Sequence, residues 1–180
     1  MNNVTTQHSN MNTMNSTSAM DSQLNASSMT DSQRENTVDV LKDLVNYTVD
    51  SIKGYERSEE MVRDNEPELA DYFRECASKR QEKRDELIRL LNMVEPHDAS
   101  NFDGTNSGAI HQAFSKFRSM FQNDSKAALA EVERGEDFLG DKYEDALEKD
   151  LPETLKGILS RHHADIERRE DMAEDLLEAS

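Results

Sequence analysis

The sequence predicts an all-α fold of four long amphipathic helices, and three observations carry that expectation. Apolar residues recur at three- and four-residue spacing throughout residues 37–180. The three prolines, Pro67, Pro96 and Pro152, fall between the periodic stretches rather than inside them. No alternating apolar pattern bounded by turn residues occurs, so no sheet is expected.

Residues 1–36 are mostly Ser, Thr, Asn, Gln and Met, with Val4 and Leu24 as the branched aliphatics. Such a stretch buries too little apolar surface to offset chain ordering, and a disordered low-complexity tail is expected. Five methionines, Met1, Met11, Met14, Met20 and Met29, lie in it and are expected to pack against nothing. The first helix is expected over 37–63, capped by Asn36 or Thr37, with Val38, Leu41, Val45, Ile52, Tyr55 and Val62 on one face. Asp64-Asn65-Glu66-Pro67 ends it and opens the second helix, which carries Leu69, Phe73, Cys76, Leu87, Leu91 and Val94. So short a turn makes the two helices an antiparallel hairpin.

Residues 95–107 read as loop, and a shorter helix is expected over 108–122 with Ile110, Phe114, Phe117 and Phe121 on one side. A third long helix follows from about residue 124 to 149, with Leu129, Val132, Leu139, Tyr143 and Leu147. Asp150-Leu151-Pro152 breaks the chain again, and a fourth helix runs to 178 with Leu155, Leu159, Ile166, Ala173 and Leu177. The result is two antiparallel hairpins joined by a long crossover over about 95–124. That connectivity is the one ferritin-like bundles use, and it makes 37–180 a single ferritin-like four-helix-bundle domain.

Net charge is −17, nearly all of it in residues 37–180. A body this acidic repels phosphate backbones and anionic membranes, so neither nucleic acid nor a membrane is an expected partner. No signal segment or membrane-spanning run is visible. The single cysteine, Cys76, suits a reducing compartment, and a cytoplasmic location is expected. On an apolar helix face, Cys76 reads as buried and inert.

The apolar stripes fail at particular points. The first helix runs into Glu56 and Glu59, the second into Arg80 and Lys83, and the third into Glu133 and Glu136. The fourth passes through His162 or His163, then Ile166, then Arg169 or Glu170, before Ala173. Charges in a bundle core must pair, bind a metal or meet water. Di-iron bundles use one Glu from each of two helices and a Glu-x-x-His pair from each of the other two. Glu56, Glu59, Glu133, Glu136, His163, Glu167 and Glu170 form the candidate ligand set for iron or another divalent metal. Arg80 and Lys83 stand where the second helix should supply ligands, and two cations repel a metal. The preferred expectation is a structural charge network of Arg80 and Lys83 with Glu59 and Glu136. Adjacent His162 and His163 point about 100° apart on a helix and cannot chelate together. No nucleophile elbow, phosphate loop or dinucleotide fingerprint is present.

Glu133-Arg134-Gly135-Glu136-Asp137, followed by Tyr143, Ala146-Leu147 and Asp150-Leu151-Pro152, resembles a family of small bacterial ferritin-like four-helix-bundle proteins of unknown function. The segment 41–59 with Gly54-Tyr55, together with Phe73 and Arg80, supports the resemblance. It implies the crossover topology and relatedness to ferritins and rubrerythrins, and brings no catalytic activity with it. The chain departs from the pattern at Glu170, where relatives tend to carry His, and at Val132, where a Cys is common. Rubrerythrin-like second helices read Phe-x-x-x-Ala-x-x-Glu-x-x-His, whereas this one has Phe73, Ala77, Arg80 and Lys83.

Two functional expectations follow. The first is a non-enzymatic, stress-associated bundle without a cofactor, acting through a homo-oligomer or protein partner on exposed apolar helix faces, with the 108–122 helix as candidate. The alternative is an iron-binding protein or oxidoreductase using the carboxylate and His ligands named above.

Overall fold

A computed structural model describes residues 24, 26–96, 102–105 and 124–179. Four long helices dominate: α1 (Asp31–Val62), α2 (Pro67–Val94), α3 (Asp124–Leu147) and α4 (Glu153–Ala179). Among the described residues there is no strand, as the patterning predicts, and no helix is long and apolar enough to cross a membrane. The expected helix at 108–122, most of the crossover and residues 1–23 lie outside the described residues.

Helix α1 begins earlier than expected. Thr30 Oγ1 accepts the Gln33 N–H at 3.1 Å, and Gln33 Oε1 accepts the Thr30 N–H at 3.4 Å. This capping box satisfies two otherwise free donors, so Thr30, rather than Asn36 or Thr37, is the cap. The expected tail boundary at residue 36 therefore falls inside a helix. Leu24 is buried and Met29 packs beside it on the core, against the expectation that this stretch packs on nothing. Gln33 and Asn36 also donate to Asp150, tying the start of α1 to the turn between α3 and α4.

The other boundaries follow the punctuation. At the end of α1 the Glu66 N–H bonds the Val62 carbonyl at 2.7 Å, and Pro67 opens α2 where its missing N–H costs nothing. Between α3 and α4, Leu151 is buried, and Pro152 accepts the Lys156 N–H at 3.0 Å. Residues 102–105 lie on α1: Asp50 accepts the N–H and hydroxyl of Thr105, while Lys53 donates to the Asp103 carbonyl. Gly104 between them has φ of 88°, a conformation side-chain-bearing residues rarely adopt.

Contacts fix the relative chain directions. Lys42 meets Glu95 while Glu59 meets Arg74, so α1 and α2 run oppositely. Gln33 meets Asp150, Ser51 meets Glu136 and Ser58 meets Ala128, so α1 and α3 do as well. Cys76 meets Arg169 and Glu86 meets His162, which sets α4 against α2.

The apolar core consists of two clusters. One gathers Leu41, Leu44, Leu87, Leu90, Leu91, Leu139, Leu155 and Leu159 around Tyr143. The other gathers Val62, Phe73, Cys76, Leu129, Val132 and Ala173 around Tyr55. Between the two, each helix carries polar residues: Thr48 and Ser51 on α1, Arg80 on α2, Glu136 on α3, and Arg169 and Glu170 on α4. Thr30→Ala is expected to lower stability by about 1 kcal/mol through loss of the cap. The check is a lower urea midpoint with an unchanged slope. An unchanged midpoint would show that the Thr30 cap does not anchor α1.

Candidate functional site

The polar layer between the clusters centres on Arg80 and Glu136. Their side chains are only 4% and 1% exposed, and Arg80 Nη2 donates to Glu136 Oε2 in a short contact. Ser51 Oγ donates to the other carboxylate oxygen at 3.4 Å. Burial works against the Arg80 charge, but attraction to Glu136, to Tyr55 and to Tyr143, together with the Glu136 hydrogen bond, raises the guanidinium pKa above its ordinary value. The expected Arg80–Glu136 pairing is thus present.

The remaining members of the expected network lie elsewhere. Glu59 is bound by Arg63 at 2.6 Å and Arg74 at 2.7 Å, not by Arg80. Those hydrogen bonds hold its carboxyl at about 2, so it is ionised at any ordinary pH. Lys83 leaves the centre to pair with Asp165 at 2.8 Å. In each case another residue supplies the partner: Arg63 one turn along α1 and Arg74 across on α2 for Glu59, and Asp165 across on α4 for Lys83.

The candidate metal ligands do not converge. Glu56 is exposed and lines a shallow groove of about 190 Å³ between α1 and α2 with Glu59 and Arg74. Glu167 is exposed, and His163 lies 3.8 Å from both Glu144 and Glu167, beyond hydrogen-bond reach. Glu133 and Glu170 face each other across α3 and α4. Partial burial, then repulsion from Asp137 and Glu133, raises the Glu170 pKa. Among the described residues no three His, Cys, Asp or Glu side chains gather closely enough to hold a metal ion. Glu136, the one fully buried carboxylate of the set, is committed to a guanidinium. The residues present therefore do not fit a di-iron centre.

The patterning missed one arrangement. His162 is 2% exposed and bridges Tyr143 and Glu86: the tyrosine oxygen lies 3.2 Å from Nδ1, and Glu86 Oε2 lies 2.9 Å from Nε2. A neutral imidazole satisfies both ends, accepting the Tyr143 O–H at Nδ1 and donating Nε2–H to Glu86. Burial pushes the His162 pKa down, and the Glu86 hydrogen bond offsets only part of that. Desolvation likewise lifts Tyr143 to about 12, so the phenol keeps its proton. The Glu86 carboxyl, hydrogen-bonded by His162, is lowered and stays ionised. Sequence could not choose between His162 and His163. Glu86 could have been singled out because it stands one turn before the buried Leu90 on α2.

Cys76 is buried, as its helix face predicts, and Arg169 Nη1 lies 3.1 Å from its sulfur. Burial raises its thiol pKa, with the guanidinium working the other way. A cavity of about 340 Å³ opens between α1 and α3 beside Glu136, lined also by Tyr55, Val132 and Phe138. Gly54 and Gly135 leave it open, since a Cβ at either would meet nothing within 4 Å.

His162 gives a pH prediction. Because its folded pKa lies below its unfolded value of about 6.5, the unfolded chain binds the extra proton first. Its contribution to stability is complete above about pH 6.5 and is lost as pH falls from there through the folded pKa. Thermal melts from pH 8 to pH 5 are expected to show this loss in the wild type and a flatter profile in His162→Gln. Parallel profiles would show that His162 is not the titrating group.

Residues 36–149, well over half of the chain, match the family described as "Domain of unknown function (DUF2383)". No curated protein and no solved structure matches the chain. The matched range runs from the second turn of α1 to the end of α3 and so takes in both partners of the buried ion pair. With its four helices and its central Arg80–Glu136 pair, the chain belongs to the DUF2383 family.

Proposed function

We propose that this protein is a non-enzymatic bundle of the ferritin-like type, in which an internal charge network occupies the centre where related bundles would hold two metal ions. The chain directions support the topology. With α1 opposed to both α2 and α3, the latter two point the same way, so Val94 and Asp124 lie at opposite ends of the bundle. These directions support the reading of two antiparallel hairpins joined by one long crossover, the connectivity of ferritin-like bundles.

The Arg80–Glu136 pair carries the functional reading. A carboxylate that bridged two metal ions would need both oxygens free for them, whereas here Arg80 and Ser51 take one each. The cation itself opposes a second positive charge at that position. In the adjoining Tyr143–His162–Glu86 chain both imidazole nitrogens of His162 are engaged, which supports the same reading. The role left to such a molecule is binding to other macromolecules or to further copies of itself.

Anaerobic Fe(II) loading followed by desalting and metal analysis tests this reading. Iron is expected to wash out in wild type and in Glu136→Ala alike. Stoichiometric iron that is retained by wild type and lost on Glu136→Ala or Glu170→Ala would overturn the proposal in favour of a metal-binding protein or oxidoreductase.

A further inference from the structure

At one end of the bundle, where α4 finishes and α2 and α3 begin, lies an open groove of about 1020 Å³. Its apolar surface comes from Leu69, Tyr72, Leu129, Met172 and Leu176, and its acids are Glu66, Glu68 and Asp175. Met172 and Leu176 are 48% and 39% exposed, two of the four large apolar side chains so exposed among the described residues. They stand one turn apart on α4, so they form a stripe rather than isolated exposures.

The electrostatics of this end point to one kind of partner. None of the side chains lining the groove is a Lys, Arg or His. The last turn of α4 has no basic residue, and Asp171, Glu174, Asp175 and Glu178 are exposed along its final turns. A helix C-terminus already carries partial negative charge from its free carbonyls, so these acids add to a field that cations would relieve. The starts of α2 and α3 carry partial positive charge that Glu66 and Glu68 complement, and Ser125 donates to Glu66, so the charge left over is that of Asp175 and the end of α4. An apolar stripe with acids and no basic side chain in its lining complements a helix with an apolar face and lysine or arginine on its flanks. A second copy brings the same sign of charge, and −17 per chain opposes its approach.

We propose that this groove docks a cationic amphipathic helix from another protein. The apolar face of that helix covers Met172, Leu176 and Leu69, and its cations reach Glu66, Glu68, Asp175 and the carbonyl end of α4. The observations behind this site are separate from those behind the central charge network, so either proposal can fail alone.

Fluorescence anisotropy on the full chain tests it, with a labelled Leu–Lys amphipathic helix of about five turns as the probe. A permuted peptide of the same composition, lacking an apolar stripe, is the control. The amphipathic probe is expected to bind saturably and at least about tenfold more tightly than the permuted one. Leu176→Asp is expected to weaken it by a similar factor with unchanged circular dichroism, since the side chain is exposed in the free protein. Asp175→Lys should weaken binding less and flatten its salt dependence. Equal binding of both peptides would reduce the effect to bulk charge and overturn the proposal. So would wild-type affinity in Leu176→Asp. Light scattering that finds a dimer dispersed by Leu176→Asp would assign the groove to a second copy and also overturn it.

Discussion

The burial of one full ion pair at the middle of the bundle constrains everything around it. Arg80 and Glu136 sit on helices that are diagonal to each other, and each is almost wholly withdrawn from water. Desolvating two charges costs several kcal/mol for each ion, and only close contact with the opposite charge offsets it. The two helices must therefore hold their register: a slide of one turn, about 5.4 Å, would carry Arg80 into an apolar cluster and leave Glu136 unpaired. The clusters alone, built largely of leucine, tolerate several alignments. The ion pair does not.

The neighbouring polar groups follow from that constraint. Ser51 faces Glu136 from α1, and Thr48, one turn before it, is a buried polar residue whose hydroxyl donates to the Leu44 carbonyl. On one side Tyr143, His162 and Glu86 carry hydrogen bonding from the core out to a partly exposed carboxylate. On the other, Cys76 lies against Arg169 and shares the second cluster with Tyr55. Burial raises the tyrosine and cysteine pKa values, so these groups stay neutral beside the one charged pair. At this centre Arg80, Glu136, Ser51, Tyr143 and His162 engage one another or Glu86, while the buried Tyr55 hydroxyl has no hydrogen-bond partner among the described residues. Met172 and Leu176, exposed one turn apart, lie away from this centre at the end of α4.

Much of the architecture was legible because its signals are local. Prolines at the turns, helical spacing of leucines and the interruption of each stripe by charge all read directly from residue order. Arg80 with Glu136 was legible in part: both interrupt apolar stripes of one bundle, but the same reading left Glu59 open as the partner of Arg80. The start of α1 was missed although its signal, Thr30-Asp31-Ser32-Gln33, fits a capping box; the polar composition around it masked the pattern. Glu56 and Glu59 were placed at the centre because stripe spacing does not resolve which side of a wide apolar face a residue occupies. Glu59, three residues past Glu56, reaches inward only far enough to be held by Arg63 and Arg74. The His162–Glu86 contact joins residues 76 positions apart, and no periodicity reports a pairing that depends on how two helices rotate against each other.

The central claim is that Arg80 and Glu136 are present for each other. Equilibrium urea unfolding of Arg80→Met, Glu136→Leu and the double variant measures this directly as a coupling energy. Each single variant is expected to lose about 3–5 kcal/mol, because it strands a buried charge, while the double variant recovers most or all of that loss. Additive losses in the double variant, or a single variant as stable as wild type, would contradict the account.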